Sequence, residues 1–250
     1  MTKERAFTLA ETLITIGIIG IVAALTMPSL IQKNIEKQRV SQLKKAYSAL
    51  SQAFAMAIEE NGDPSYWGMT GMYDESSHYI LADIMRKYLK LSVDCVDMSE
   101  TEAREVCGHE RYRGKNNNDS IYKNTFFKNG RAVILADGAV VTFRVYSGQC
   151  NDINIGCGEI VIDVNGSKYP NQVGYDQFTF FIKKDKIEPL GTKDGFFKFE
   201  KACNLAEKRP YPTYSSGNMY ACAAWVLYNE NQDYLHCNNL SWDDKHSCKN

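Results

Sequence analysis

The pattern of apolar and polar positions divides the chain into three kinds of segment. Residues 12–32 form a run of 21 without one charged side chain, built mainly from Leu, Ile, Val, Ala and Gly with three Thr. As a helix this run spans roughly 30 Å, the thickness of a bilayer's hydrocarbon core. Beyond it the apolar residues narrow to a stripe. Ile31, Ile35, Leu43, Tyr47, Leu50, Phe54 and Ile58 recur at spacings of three and four, apart from one longer step. The opposite face carries Lys33, Glu36, Lys37, Arg39, Lys44 and Lys45. The helix therefore continues as an amphipathic rod that can dock on a globular head. Asn61-Gly62-Asp63-Pro64 ends it, with residues that tolerate left-handed backbone and then a Pro. Pro28 and the Gly17/Gly20 pair are places where it can bend or loosen.

A loop rich in Gly, Ser, Tyr and Met follows. Ser76 or Ser77 can cap a short helix reaching Leu91, with Ile80, Leu81, Ile84, Met85, Tyr88 and Leu89 on its apolar face. Residues 109–124 are polar and read as an exposed loop. The period then changes to that of strands. Residues 131–136 and 139–146 flank Asp137-Gly138, a hairpin signal. Residues 159–164 and 177–182 are two further strands, 186–190 is a candidate fifth, and 218–228 is a candidate helix. Successive strands joined by turns predict an antiparallel meander. The fold class is therefore α+β: a long N-terminal helix, half membrane-spanning and half amphipathic, packed on a β-meander head with a Cys-rich C-terminal region.

Composition narrows the classes. The 250 residues carry 29 basic and 30 acidic side chains, so no whole-chain field points to nucleic acid. The one long apolar stretch excludes a polytopic membrane protein. Cys95, Cys107, Cys150, Cys157, Cys203, Cys222, Cys237 and Cys248 all follow that stretch, with no CxxC pair among them. An even count of scattered Cys on the exported side fits disulfides in an oxidising compartment. Eight Cys allow 105 pairings, and pairing of neighbours is the expectation: 95–107, 150–157, 203–222 and 237–248. The rival is a thiolate metal site with His109, His236 or His246, and it lacks the close pairs such sites use.

Three readings compete for the N-terminus. A secretory signal would cut after the apolar run, near Val22-Ala23-Ala24. A plain signal anchor would not be cut. A third type of signal is cut before the run. Glu11 separates them, because a carboxylate at the edge of an apolar helix is costly in lipid and neither of the first two readings gives it a task.

Ala6-Phe7-Thr8-Leu9-Ala10-Glu11, followed by the Leu/Ile/Gly/Val/Ala run from Leu13 to Ala24 and then Pro28, resembles the N-terminus of type IV pilins and type II secretion pseudopilins. The resemblance covers about fifty residues. It implies cleavage between Ala6 and Phe7 by a prepilin peptidase and N-methylation of Phe7. Glu11 and Pro28 then become the fifth and twenty-second mature residues, as in the family. One position departs: the family usually has Gly before the cut, where this chain has Ala6. A buried amine and a buried carboxylate each need a partner. Glu11 of one subunit paired with the Phe7 amine of a neighbour would satisfy both and set the axial register, with Phe7, Glu11 and Pro28 as assembly residues. The expected organisation is a leader at 1–6, a transmembrane and spine helix at 7–60, a head at 61–190 and a Cys-rich region at 191–250. The implied partners are the peptidase/methyltransferase, other pilin or pseudopilin subunits, an inner-membrane assembly platform and membrane lipid. The implied location is a single-pass inner-membrane protein before assembly, with its head in the periplasm or at the cell surface.

The segment between the third and fourth strands is dense in oxygen-bearing side chains. It resembles a loop of pilin-like heads, some of which bind calcium. Asp163, Asn165, Asn171 and Asp176 could supply side-chain oxygens, with backbone carbonyls for the rest. The alternative is an Asx-rich turn that satisfies its own backbone.

No GxSxG, HExxH or P-loop is present, and the chain is not expected to be an enzyme. Two binding functions compete with a purely structural one. Residues 104–131 hold seven basic side chains interleaved with Tyr112, Tyr122, Phe126 and Phe127, a pattern that can hold single-stranded DNA in an uptake pilus. Such runs are more often solvated loops, and nucleic acid is not the expected partner. A secreted or membrane-anchored adhesive head is the other alternative.

Overall fold

The computed structural model describes residues 8–108, 130–203 and 219–248. The chain forms two compact units, residues 1–38 and residues 39–250. One helix, α1 (Leu9–Asn61), begins in the first and ends in the second, with Pro28 inside it. The head therefore starts within the helix. Val40, Leu43, Ala46, Leu50, Ala53, Phe54 and Ala57 are all buried. Of the predicted stripe, Leu43, Leu50 and Phe54 lie among them, Tyr47 and Ile58 pack partly buried against them, and Ile31 and Ile35 are exposed, while Glu36 and Arg39, expected on the polar face, are buried. Gly62 follows α1 at φ +75°, the left-handed backbone that stops it. The Trp67 indole donates to Gly62 O at 3.0 Å and its ring meets Phe54 edge-on, which latches the turn to the helix.

Helix α2 (Glu75–Arg86) starts earlier than the sequence suggests and also ends earlier. Its N-cap is Asp74, whose carboxylate accepts from Ser76 N, not Ser76 or Ser77. It also stops before Leu91, because Leu-Ser-Val-Asp alternates and pairs as a strand, β1 (Leu91–Asp94). After α3 (Glu100–Val106) come β2 (Arg131–Leu135), β3 (Val140–Val145), β4 (Gly158–Asp163), β5 (Gln177–Ile182) and β6 (Ile187–Pro189). The six strands lie in sequence order and every neighbouring pair is antiparallel, a meander. One face carries Val133, Phe143, Ile160, Ile162, Phe178 and Phe180 into the core shared with α1, where Phe180 stacks on Tyr47 at 5.3 Å.

The opposite face is buried as well, although its residues are mixed in polarity. Phe181, Leu190, Ala202, Tyr220 and Ala221 cluster there. Arg144 on β3 and Glu159 on β4 form a cross-strand ion pair at 3.1 Å beneath them, and the Tyr220 hydroxyl donates to Glu159. The C-terminal region covers this face through Ala202 of α4 (Phe199–Ala202), Tyr220 and Ala221, while Phe199 and α5 (Ala223–Asn229) belong to the core shared with α1. Trp225 on α5 stacks on Phe199 at 4.0 Å. The cysteines are joined as neighbours, Cys95–Cys107, Cys150–Cys157, Cys203–Cys222 and Cys237–Cys248, so none is available as a thiolate ligand.

Candidate functional site

Two regions carry the residues singled out in the sequence. The first is the start of α1. Ala6 and Phe7 lie outside the described residues; Thr8 and Glu11 do not. Thr8 N donates to Glu11 Oε2 at 2.8 Å, Thr8 Oγ1 donates to the same oxygen at 2.9 Å, and Glu11 N donates to Thr8 Oγ1 at 3.2 Å. This reciprocal pair is a capping box, which satisfies two of the N–H groups a helix leaves orphaned at its start. Thr8 was not among the expected functional residues. The signal for it was in the sequence, as Thr-x-x-Glu ahead of an apolar run.

On either side of Glu11, as far as Ile31, the helix presents apolar side chains all round. Leu9, Leu13, Ile14, Ile18, Ile21 and Leu25 are each more than half exposed, Leu9 at 81%. The helix contains an 18-residue window with a mean hydropathy of 2.2, none of it buried. Its hydroxyls are used internally: Thr15 donates to Thr12 O, Thr26 to Val22 O and Ser29 to Thr26 O. A helix that satisfies its own polar groups and exposes only hydrocarbon is suited to lipid or to a bundle of like helices.

The second region joins β4 to β5. It brings Asp163 and Asp176 together as interacting neighbours, both buried. Each carboxylate already accepts nitrogen donors. Asp163 takes Asn165 N at 3.3 Å and Gln177 Nε2 at 3.1 Å; Asp176 takes Gln172 N at 2.6 Å and Asn171 N at 2.9 Å. The Asn171 amide, with its nitrogen turned to the loop, donates to Gly166 O and Lys168 O at 2.9 and 3.0 Å. These are the bonds of an Asx-organised turn. Two buried acceptors of the region, Asn165 Oδ1 and Gln177 Oε1, have no partner among the described residues. Burial and the charge of Asp176 push the Asp163 carboxyl well above its ordinary value. Burial also raises Asp176, opposed by the Gln172 and Asn171 N–H groups and by Arg39 of α1. Gln177 and Arg39 were not foreseen, since only the fold brings them to this loop.

The loop is also where the C-terminal region is fastened. Tyr234 Oη donates to Gly174 O at 2.6 Å and Gln232 Nε2 to Tyr175 O at 2.7 Å. Gly174 sits at φ +80°, and a Cβ there would stand 2.6 Å from Met219 Cβ, so Gly is required twice over.

The raised carboxyls give a signed expectation. Between the unfolded value near 3.8 and the higher folded one, the native state keeps a proton that the unfolded chain has released. Stability from this pair is therefore present at low pH and falls as pH rises through that window. Asp163→Asn removes the Asp163 share of the effect, while burial still raises Asp176. In chelator, the melting-temperature difference between Asp163→Asn and wild type should shift in the variant's favour from about pH 4 to about pH 7. A difference that does not vary with pH contradicts the reading.

The basic, aromatic stretch considered for DNA lies largely outside the described residues. Among known proteins, the family of unknown function DUF6613 matches over residues 29–232, and the prokaryotic N-terminal methylation motif matches over residues 1–27. No curated protein matches the chain, and no solved structure does.

Proposed function

We propose, from the premise that this chain belongs to the family of unknown function DUF6613 and is a type IV prepilin-like protein, that it serves as a structural subunit of a type IV pilus or type II secretion pseudopilus. The methylation motif implies processing by a prepilin peptidase and assembly with other pilins. The observation that carries the proposal is the start of α1, where one carboxylate sits at the head of an otherwise uncharged apolar stretch with no buried residue in its 18-residue core window. Ala6/Phe7 is the cleavage site and Phe7 the methylated residue. The helix holds the chain in the inner membrane, with the head on the periplasmic side, until an assembly platform extracts it.

In the waiting subunit Glu11 is occupied by Thr8. On assembly it would exchange Thr8 for the Phe7 amine of a neighbour. Both states leave the carboxylate with donors, so it is never stranded in hydrocarbon. The test is incorporation: a C-terminally tagged chain should co-purify with sheared filaments or with partner pilins, and do so only in cells that contain the peptidase. Equal recovery without the peptidase would refute it.

Calcium belongs to the same proposal as a stabiliser of the head. Asp163, Asn165, Asn171 and Asp176 would hold it, and the unpartnered Asn165 Oδ1 and Gln177 Oε1 supply oxygens in need of a cation or water. Bound calcium would neutralise the repulsion between the two carboxylates. Adding it to chelated protein should raise the melting temperature by several degrees, roughly what 1–2 kcal/mol gives in a domain of this size. A melting temperature indifferent to both calcium and chelator removes calcium from the reading.

A further inference from the structure

A cavity of about 240 Å³ opens on the sheet face opposite α1, between the β5–β6 edge and the loop closed by Cys150–Cys157. Nothing in the assembly reading uses it. Three phenyl rings line it. Phe181 is buried, Phe197 stands behind it at 5.8 Å and 50°, and Phe196 meets Phe197 at 4.9 Å and 80°. Phe196 is 61% exposed, unusual for so large an apolar ring. Rings set at such steep angles form a wedge, not the flat platform on which a sugar ring would stack.

The charges around the wedge are mostly acidic. Glu188 and Asp194 line it against one cation, Lys183. That ammonium is committed, donating to Ile153 O at 3.0 Å and Asn154 O at 2.6 Å, with Glu188 at 3.8 Å. It also lies 5.4 Å from the centre of the Phe181 ring. One alkylammonium thus already sits here against a ring face and backbone acceptors, although burial lowers its pKa. The outer half of the wedge, Phe196, Phe197 and Asp194, repeats that chemistry. Lys193, next to Asp194, is paired with Asp243, so among the described residues Asp194 has no ion pair.

We propose that this cavity binds a small organic ammonium of the choline or N-methylated amine class, with its cationic head against the exposed Phe196 ring, in the angle that ring makes with Phe197, and beside Asp194. Ring faces attract a poorly hydrated cation, and the carboxylate supplies the opposite charge. A divalent metal ion is a worse match, since it needs a shell of oxygens that the rings do not offer.

The test is calorimetric titration of the full chain in a zwitterion-free detergent with choline chloride, with sodium chloride and glucose as controls. Saturable choline binding is expected, weakened about tenfold or more in Phe196→Ala and in Asp194→Asn, with glucose silent. Both side chains are at the surface, and unchanged melting temperatures will show that the variants remain folded. No saturable choline binding, binding unaffected by both substitutions, or saturable glucose binding would each overturn the proposal. None of these outcomes bears on filament assembly, which the peptidase-dependent co-purification tests separately.

Discussion

Glu11→Ala should leave the chain inserted and cleaved yet almost absent from filaments. The expectation follows from what a filament would do to the group. Packed helices exclude water, and an amine left without its carboxylate there costs about 3–5 kcal/mol. That corresponds to roughly a hundredfold to several thousandfold weaker contact per subunit, repeated along the fibre. Glu11→Gln separates the two tasks of the residue. The amide oxygen can still accept from Thr8 N and Oγ1 as Glu11 does, so the helix cap survives while the charge is lost. Filament yield as low as for Ala identifies the charge as the requirement. Yield near wild type for Gln would mean that only the cap matters, and the pairing with the Phe7 amine would fail.

The second large effect lies in the head. Trp225 is fully buried, stacked on Phe199 at 4.0 Å and in contact with Trp242 at 5.1 Å, and its indole N–H donates to Asn231 Oδ1 at 3.0 Å. Trp225→Ala should cost about 3–5 kcal/mol through lost burial and the cavity left behind. Cys203–Cys222 borders this cluster, since Cys222 immediately precedes α5. Chemical denaturation with disulfides intact should show the loss as a lower midpoint. A midpoint within the error of wild type would mean that the C-terminal region does not fold as one body with the sheet.

The N-terminus was the most legible part of the sequence, because its chemistry is local. An apolar run, one carboxylate and a Pro at fixed offsets need no tertiary contact to be read. The capping partner Thr8 was legible too, although the Glu11 carboxylate drew attention to a neighbouring subunit before its own helix. The central strands followed from alternation and from the Asp137-Gly138 turn. β1 did not, because four residues, Leu91–Asp94, directly follow a helical pattern whose apolar spacing runs into them. The burial of the second sheet face was beyond local reading. Arg144 and Glu159 look like solvent-facing positions by alternation, and only the return of the C-terminal region makes them a buried pair. The meeting of Asp163, Asp176 and Arg39 likewise depends on how α1 lies against the β4–β5 loop.

The most direct measurement is the intact mass and N-terminal sequence of the membrane-extracted protein, from cells with and without prepilin peptidase. A pilin-type subunit begins at Phe7 carrying one methyl group, and keeps its first six residues when the peptidase is absent. A chain that begins after Ala24, or begins at the same residue in both strains, would contradict the assembly role and leave Glu11 as a helix cap alone.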